Sequence, residues 1–536
     1  TDFHLVLSDS EKATLLATKT ANAGCTIDNG AVDYELQYLS RVYGAISDET
    51  VKAEIKTGFL KGVQYLLDAQ YDNGGWPQFF PYRGGYSDHI TYNDDAMVHA
   101  MEILRHIHEQ DGVYTIVAAD TTIAQAGEAF DMGLDCMMKT QYNQHGRLTV
   151  WCAQHHYETL EPVMARSYEL ASLSGGESSG ILEFLMSIDN PSEEIVRAIY
   201  SGATWYDENR ITGQRLVSFT NSDGLPDLKI VYDETAPDMW ARFYRLEDNR
   251  PFFCDRDGIM VFSIAEIGYE RRTGYAWYGG WGFEALSAFN TWLNTNSETI
   301  LICPLHNETY YTTDTIPVRA AARRNTGHAF VKFQVVLDQS TTFEFTEQDI
   351  ATEISGLSVG EHTVEINAIY ADDYTETRTA TFSVEIPTYD LVVTYGSGDG
   401  NYQIGSVITI HADPPRTGKT FDQWTGDIEY LGSVTDSVTT FTIPGFNATV
   451  KATYKDAVGV EESTLEQKIR CYPNPAGEVL FIDLPATESA LVEIYDMQNR
   501  KVYTAQKEQG LNSISTAGFV PGVYILRISD ANGYLF

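Results

Sequence analysis

An internal repeat constrains the fold of the first half of the chain more than any other feature. The run Tyr65–Asp72 resembles the run Cys136–Asn143. Each copy ends a segment with apolar residues at helical spacing and leads into a loop that contains Gly and Trp. Repeated helix–loop–helix units whose loops leave at the same end are typical of an α/α toroid, a barrel of helical hairpins with a groove across that end. We therefore expect an α/α toroid over residues 1–295.

Individual helices can be predicted within this region. Apolar residues share one face over 51–70 and again over about 121–141. Asn190 is followed by Pro191 and, two residues later, by Glu193, which is the pattern of a helix start with Asn190 as the N-cap.

The composition changes after Trp292 to Thr- and Val-rich runs with period-two alternation, which indicate β-strands. We predict an Ig-like β-sandwich at 296–387, a second β module at 388–455, an acidic linker at 456–468 and a third β module at 469–536. The predicted fold is therefore multidomain, with a helical toroid followed by three small all-β, sandwich-like domains.

Charge and composition exclude several functions. The net charge of −39, with no basic stripe, argues against nucleic-acid binding. No apolar run approaches the ~18–20 residues of a membrane span. The six cysteines form no CxxC pair, which argues against a zinc site and a dense disulfide scaffold. Since the chain begins at Thr1 without a signal-like segment, we expect a processed or partial product.

The loop Tyr71–Met97 combines Gly, aromatic, amide and carboxylate residues, which suggests a sugar-binding surface; an ordinary aromatic-rich loop is the alternative. Asp72, Asp94 and Asp95 are candidate ligands of a hard cation, because calcium prefers carboxylate and carbonyl oxygens. Alternatively, Asp94 is a helix N-cap and Asp95 belongs to the first turn.

A second run, Trp240–Tyr278, is rich in arginine and contains no lysine. Its arginines are Arg242, Arg245, Arg250, Arg256, Arg271 and Arg272. The guanidinium fork matches a carboxylate in two-point contact, so a uronic-acid polymer is a candidate substrate. The alternative is that nearby acids such as Asp255 and Glu270 pair with these arginines for structural reasons.

Several motifs together resemble the family 10 polysaccharide lyases, which are pectate lyases. They are CTIDNGAV (25–32), DNGGWPQFFP (72–81), HITYNDDAM (89–97), VWCAQH (150–155), LSGGES (173–178), RDGI (256–259) and ERRTGYAWY (270–278). The resemblance implies an α/α toroid with a central cleft, which cleaves polygalacturonate by β-elimination with Ca²⁺.

The resemblance also implies roles for particular residues. Asp72 and Asp95 correspond to acidic groove residues, and Arg242 and Arg256 to arginines that bind the substrate carboxylate. The family uses an arginine as the base; Arg166, Arg210 and Arg256 are the candidates, and we favour Arg256. We predict Arg256, Arg242 and Asp95 as catalytic residues. Further substrate contacts are expected from Asp72, Asn73, Trp76, Arg166, Arg210, Arg271 and Tyr275.

One departure affects the predicted metal site at Asp95 and His156. Where the family reads W-C-A-Q-H-D, this chain has His156 in place of the aspartate. Imidazole is a poor calcium ligand, so a neighbour such as Glu158 could substitute, or the protein could be a weakly active or non-catalytic pectin-binding surface protein. His155 and His156 lining a polar loop is a structural alternative. A third hypothesis, an α/α glycoside hydrolase, needs an acid–base pair that we do not find.

The C-terminal modules resemble export-related domains. GNYQIGSVITIHADPP (400–415) and FDQWTGD (421–427) resemble the bacterial repeat of internalin-type surface proteins. YPNPAGEVLFIDL (472–484) and GVYILRI (522–528) resemble the type A sorting domain of the type IX secretion system. This implies export to the cell surface or medium of a Bacteroidetes-type cell. The expected partners are the type IX machinery and pectin, and we expect a monomer.

Overall fold

The computed structural model describes residues 8–19, 25–296, 298–324, 326–456, 469–484 and 489–529. The chain divides into two compact units, Thr1–Thr388 and Tyr389–Phe536. The predicted linker at 456–468 lies outside the described residues except for its first position.

The first part of unit one is helical. Its helices are α1 Asp9–Lys19, α2 Ala31–Ala45, α3 Glu49–Ala69, α4 Ala96–Glu109, α5 Asp120–Thr140, α6 Glu177–Met186, α7 Glu193–Glu208, α8 Tyr269–Thr273 and α9 Trp281–Asn296. The helices predicted at 51–70 and 121–141 correspond to α3 and α5. The predicted cap of α7 is wrong: Ser192 is the N-cap, and its hydroxyl accepts a hydrogen bond from the Ile195 amide at 3.3 Å.

The helices pack in two layers. Consecutive helices pair as α2 with α3, α4 with α5 and α6 with α7. Within one layer α2 packs on α4, α4 on α6 and α6 on α9, while α3, α5 and α7 follow one another in the other layer. The apolar face of α4 is buried, with Met97, Met101 and Leu104 inaccessible to solvent. Helical hairpins side by side agree with the repeat, while closure into a toroid stays a prediction.

The two copies of the sequence repeat also have the same local structure. The Trp76 indole donates to the Leu66 carbonyl at 2.8 Å, and the Trp151 indole donates to the Met137 carbonyl at 2.7 Å. Leu66 and Met137 occupy equivalent positions in the two repeated runs. Each loop is thus fixed to the end of its own helix by a buried tryptophan.

Short strands hold the loops of the helical region together. They are β1 Ile90–Thr91, β2 Gln154–His155, β3 Leu173–Ser174, β4 Gln214–Thr220, β5 Pro226–Tyr232, β6 Trp240–Ala241, β7 Phe243–Tyr244, β8 Phe253–Cys254, β9 Met260–Val261 and β10 Tyr278–Gly279. The pair β1–β2 joins the two repeated loops, with Ile90 opposite His155. The pairs β3–β7 and β6–β10 join the arginine-rich run to the segment before α6 and to the start of α9.

A β-sandwich follows in the same unit. Its strands are β11 Ile300–Cys303, β12 Thr309–Tyr311, β13 Thr315–Ala321, β14 Phe330–Leu337, β15 Thr341–Phe345, β16 Asp349–Ser355, β17 Gly360–Tyr370 and β18 Thr375–Glu385. The sheet β11-β13-β16 and the sheet β12-β18-β17-β14-β15 share one core, to which Val318 and Phe333 contribute. The Tyr310 hydroxyl donates to the Gly146 carbonyl at 3.0 Å and connects this sandwich to the loop after α5.

Unit two contains further β-strands. They are β19 Thr388–Thr394, β20 Gly396–Ser397, β21 Gly400–Gln403, β22 Val407–Ala412, β23 Lys419–Gly426, β24 Val438–Thr442, β25 Ala448–Asp456, β26 Arg470–Tyr472, β27 Val479–Leu484, β28 Ala490–Asp496, β29 Lys501–Lys507, β30 Gly510–Ser515 and β31 Tyr524–Ser529. Trp424 is fully buried in the core that the strands from β19 to β25 form. Within the described ranges, no helix is long and apolar enough to cross a membrane.

Candidate active site

A tight turn with two left-handed residues leads into α4. Asn93–Asp95 form one turn of 3₁₀-helix, with φ of 51° at Asp94 and 57° at Asp95. Asp and Asn tolerate this conformation better than other residues with a side chain. The N-cap prediction for Asp94 is wrong, because Asp95 occupies the N-cap position and makes no capping hydrogen bond with its side chain. The Asp95 carboxylate is therefore available for another role.

The Asp95 carboxylate lies against Gly180 of α6. A β-carbon at Gly180 would lie closer than 3.0 Å to Asp95 Oδ1. The pKa of Asp95 is raised to about 6, mainly by burial and in smaller part by the negative charges of Glu177, Asp94 and Glu183, against the opposing effect of His99. A carboxylate held in this environment has an unfavourable charge that a cation would stabilise.

Arg242 forms a mostly buried ion pair beside this turn. Its guanidinium bonds to the carboxylate of Glu177, in the first turn of α6, and the Ser174 hydroxyl donates to the same carboxylate. Burial is the largest single effect and opposes the charge of Arg242, but Glu177 and the other negative groups nearby together outweigh it, so the pKa of Arg242 is raised. The buried Nε of Arg242 has no hydrogen-bond partner among the residues that the structure describes.

Three further arginines surround two tyrosine rings next to Arg242. They are Arg166, Arg256 and Arg271, and the rings belong to Tyr168 and Tyr275. The Cζ atoms of Arg271, Arg166 and Arg256 lie 4.5, 5.2 and 5.5 Å from the Tyr168 ring centroid. Arg242 Cζ lies 5.2 Å from the Tyr275 centroid. Cation–π attraction stabilises such contacts, and the four arginines and two tyrosines form what we call the arginine cluster.

Glu270 holds two members of the arginine cluster together. Its carboxylate accepts from Nε and Nη2 of Arg256 at 3.1 and 3.0 Å, and it also pairs with Arg271. These bonds lower the pKa of Glu270 to about 2, and the bond to Arg271 has the largest effect. The same pairing raises the pKa of Arg256, which opposes the role of proton acceptor that we predicted for it.

Glu169 performs a similar function on the other side of the cluster. Its carboxylate accepts from Arg166 Nε at 2.7 Å and from the Tyr275 hydroxyl at 2.6 Å. A small cavity lies alongside, lined among others by Asn93, Gln154 and Arg242. The cavity thus offers guanidinium, amide and phenol groups, which can bind the carboxylate and hydroxyls of an acidic sugar.

The structure therefore brings together many of the predicted site residues. Arg166, Arg242, Arg256, Arg271 and Tyr275 belong to the arginine cluster. Asp95 is linked to the cluster through its electrostatic interaction with Glu177, the partner of Arg242.

Arg210 is not among the residues of the arginine cluster, and its role as a substrate contact stays a prediction. It follows α7, pairs with Asp207 and lies 3.2 Å from Asp238. It lines a separate cavity with Phe289 of α9 and Asp349 of the β-sandwich. Arg210 therefore has structural partners away from the cluster.

The prediction of Trp76 as a substrate contact is wrong. It is fully buried, and its indole is bonded to α3, so no face is open to a sugar. Asn73 is half-buried, and its amide donates to the Tyr157 carbonyl at 2.6 Å. Asp72 is exposed in the turn beside it. A substrate contact from Asn73 or Asp72 stays a prediction.

The two histidines of the second loop stabilise that loop. The buried His155 ring accepts from the Cys152 amide at 3.2 Å through Nε2 and lies 2.8 Å from the Leu160 carbonyl through Nδ1. His156 Nδ1 accepts from the backbone amides of Glu158 and Thr159 at 3.1 and 3.3 Å. An aspartate oxygen at this position could accept the same two bonds, so the His156 ring preserves the turn.

The predicted metal ligands do not form a ready-made site. Within the described part of the chain, no group of three or more His, Cys, Asp or Glu side chains is arranged to hold a metal ion. The Nδ1 lone pair of His156 is used by the turn, which makes this residue unsuitable as a ligand. Asp94 and Asp95 offer oxygen donors, which is the chemistry that calcium prefers.

The partners of the arginines are the residues that sequence reasoning missed. Glu177, Glu169 and Tyr168 were not singled out. The spacing Ser174-x-x-Glu177 before a helix is a capping-box pattern, and it could have drawn attention to Glu177. No comparable signal marks Gly180, whose importance depends on the packing of α6 against the turn before α4.

Comparisons with known proteins identify the family of the helical region. Residues 2–286 match the family model of pectic acid lyase. The family 10 polysaccharide lyase from Cellvibrio cellulosa is 36% identical over 50% of this chain and 80% of that chain, with a TM-score of 0.45. A mutant of that lyase in complex with trigalacturonic acid is 35% identical over 50% of this chain and 81% of that chain, also with a TM-score of 0.45. No curated protein matches.

The C-terminal modules also match family models. Residues 392–458 match the divergent InlB B-repeat domain, and residues 470–535 match the secretion system C-terminal sorting domain. The sorting domain indicates type IX secretion to the cell surface or the medium.

Proposed function

This chain belongs to the pectic acid lyase family, and we propose that it cleaves polygalacturonate, the de-esterified form of pectin, by calcium-assisted β-elimination. The observation that carries this proposal is the arginine cluster beside the Asp95 turn. Elimination from a uronate requires that its carboxylate be neutralised, that a base remove the adjacent proton and that the leaving oxygen be stabilised. The cluster supplies cationic groups for the first of these tasks.

Arg242 and Arg256 are the proposed uronate ligands. Arg242 presents a buried Nε with no partner among the described residues, next to the cavity. Arg256 is largely exposed over the Tyr168 ring. A guanidinium fork binds a carboxylate at two points with defined geometry, so lysine substitutions at these positions should preserve charge and lose activity.

We propose Arg256 as the proton acceptor once Glu270 releases it. In the structure Glu270 raises the pKa of Arg256, so the neutral form requires that this pair open and that burial and the charge of Arg271 dominate. The variant Glu270→Gln then lowers the pKa of Arg256 and moves the limb of the pH–rate profile on which the rate rises with pH to lower pH. A loss of activity without that movement would assign Glu270 a purely orienting role.

Calcium would be held by Asp94 and Asp95. Burial raises the pKa of Asp95, and the charges of Glu177 and Asp94 add to this effect, so a cation would stabilise the Asp95 carboxylate. His156 does not fit calcium, because its ring is an acceptor for the turn. When bound, the cation would help to neutralise the uronate carboxylate and so make the neighbouring C–H more acidic. The remaining ligands would come from the substrate and water.

The fold and the assembly state complete the proposal. Hairpins packed in two layers support closure of the helical region into an α/α toroid, and we expect the protein to act as a monomer. The experiment is to incubate the purified chain with polygalacturonate and follow the ultraviolet absorbance of unsaturated uronate, with calcium and with chelator. Absence of product under calcium excess contradicts the proposal.

His156 favours a second candidate, a pectin-binding surface protein with little or no lyase activity. In that case polygalacturonate retards the protein in an affinity gel but no product forms. The variant His156→Asp retains the acceptor for the turn and adds a carboxylate, so it should restore turnover. If this variant binds calcium no better and stays inactive, the residue at 156 does not explain the lack of activity.

A further inference from the structure

A row of stacked rings crosses the two repeated loops. It consists, in spatial order, of Tyr82, Tyr71, Tyr157, His156 and His89, and we call it the aromatic ladder. Successive ring centroids lie 5.6, 5.6, 4.8 and 5.3 Å apart, with interplanar angles of 1°, 22°, 16° and 42°. The planes of the three tyrosine rings are thus nearly parallel and offset from one another, which is the favoured arrangement of aromatic pairs.

Local hydrogen bonds hold the aromatic ladder in place. The Tyr71 hydroxyl donates to the Asp88 carbonyl at 2.5 Å. The Tyr157 carbonyl accepts from the Asn73 side chain, and the His156 ring is fixed by its turn. Rings that are already ordered lose little conformational entropy when a ligand binds.

Two rings of the aromatic ladder are exposed and the other three are half-buried, unlike the tryptophans of the same loops. Tyr82 is 51% exposed and Tyr157 is 37% exposed, whereas Trp76 and Trp151 are fully buried. Burying Tyr82 or Tyr157 would have stabilised the fold, so the exposure of these two rings on either side of the half-buried Tyr71 indicates a binding surface. Since the stacked faces contact one another, the rings present their edges and polar tips, which can contact the C–H groups and the hydroxyls of a sugar.

The charges around the aromatic ladder are mainly negative. Asp72 follows Tyr71, Glu158 follows Tyr157, and Asp88 accepts backbone amides in the loop that carries Tyr82. The cation of this loop, Arg83, lies over the Phe79 ring at 3.7 Å. A segment of free uronate would be repelled here, whereas an esterified or neutral sugar would not be.

We propose that the aromatic ladder is a second carbohydrate-binding surface, selective for neutral or methyl-esterified galacturonan. Its position supports this role, because β1, which follows His89 directly, leads into the Asn93–Asp95 turn, and β2 precedes His156 directly. One polymer can therefore place an esterified stretch on the ladder and an acidic stretch at the arginine cluster. The identification of the polymer as galacturonan rests on the proposed lyase function, whereas the inference that the ladder binds a carbohydrate does not.

The test compares two pectins on the full chain. Affinity electrophoresis with highly methyl-esterified pectin and with polygalacturonate measures binding by the wild type and by Tyr82→Ala, Tyr157→Ala and the double variant. Each single substitution should weaken retardation by esterified pectin about fivefold and the double variant more, while polygalacturonate binding changes less than twofold. The control is Tyr232→Ala, which removes a ring that is 76% exposed on β5 and should change neither.

Two further measurements separate the possible outcomes. Tyr82→Phe and Tyr157→Phe retain the rings and should retain binding, and thermal unfolding shows whether each variant folds. Any of three results would overturn the inference. The variants could lose binding to both pectins equally, the double variant could bind as the wild type does, or the wild type could fail to bind esterified pectin. Lyase activity on trigalacturonate is recorded separately, so an inactive protein whose ladder variants lose esterified pectin refutes the lyase proposal and supports the ladder.

Discussion

Gly180 provides the sharpest test of the role of the Asp95 carboxylate. In the variant Gly180→Ala the new β-carbon would come closer than 3.0 Å to Asp95 Oδ1, whereas ordinary contact begins near 3.4 Å. The carboxylate must retreat by about 1 Å, and a displacement of that size in a catalytic group costs on the order of 100-fold in rate.

The effect on stability should be small. Replacing a helical glycine by alanine stabilises a helix by about 1 kcal/mol. Forcing a side chain to move in a packed region costs about 1–3 kcal/mol. The free energy of unfolding of Gly180→Ala should therefore fall by no more than about 2 kcal/mol.

Gly58→Ala is the matched control. Gly58 is a helical glycine in α3, and a β-carbon there would meet its nearest neighbour, Leu39 Cδ1, at 3.8 Å. This variant should gain about 1 kcal/mol of stability and retain full activity. The assay is formation of unsaturated uronate, together with thermal unfolding. If Gly180→Ala is as active as Gly58→Ala, the position of Asp95 does not matter for catalysis and the account of this site is wrong.

Three further predictions concern pH and packing. Because the pKa of Asp95 in the folded state is raised to about 6, its charge destabilises the fold above pH 6, and this cost disappears as the pH falls below 6. The variant Asp95→Asn should therefore raise the free energy of unfolding by about 1 kcal/mol at pH 8, measured by urea unfolding. The same variant should abolish cleavage. Burial lowers the pKa of His155 to about 4, so the free energy of unfolding should fall by about 3 kcal/mol as pH drops from 6.5 to 4, and His155→Gln should flatten this slope. At Gly146, where φ is 77°, a β-carbon would clash with the Tyr310 ring, so Gly146→Ala should lower the free energy of unfolding by about 1–3 kcal/mol. The control is Gly224→Ala, where φ is 78° and the surrounding space is open, so this variant should show only the backbone strain and not the cost of a clash.

Helical periodicity and the internal repeat predicted the main helices well, because both depend on local sequence. The repeat also placed two equivalent loops side by side, and the β1–β2 pair confirms this. Trp76 shows the limit of such reasoning. A tryptophan among glycines and acids suits a sugar site, but the same residue can fix a loop to the preceding helix, and the hydrogen bond to Leu66 shows that it does so here.

The candidate site was predictable by residue type but not by pairing. An arginine-rich run without lysine indicated an anion site, and the structure gathers Arg242, Arg256 and Arg271. Their carboxylate partners depend on contacts between distant segments, such as that of Arg242 with Glu177. The position of Asp95 at the start of α4 depended on two left-handed residues, which local propensity alone does not specify.

The central claim is that this chain cleaves polygalacturonate by elimination at the arginine cluster. The most direct measurement follows, in one reaction with calcium, both the new reducing ends and the unsaturated uronate ends. Elimination predicts one unsaturated end for every new reducing end, with both lost in Arg242→Lys and retained in Arg245→Lys. Reducing ends without the unsaturated chromophore would show hydrolysis and contradict the account.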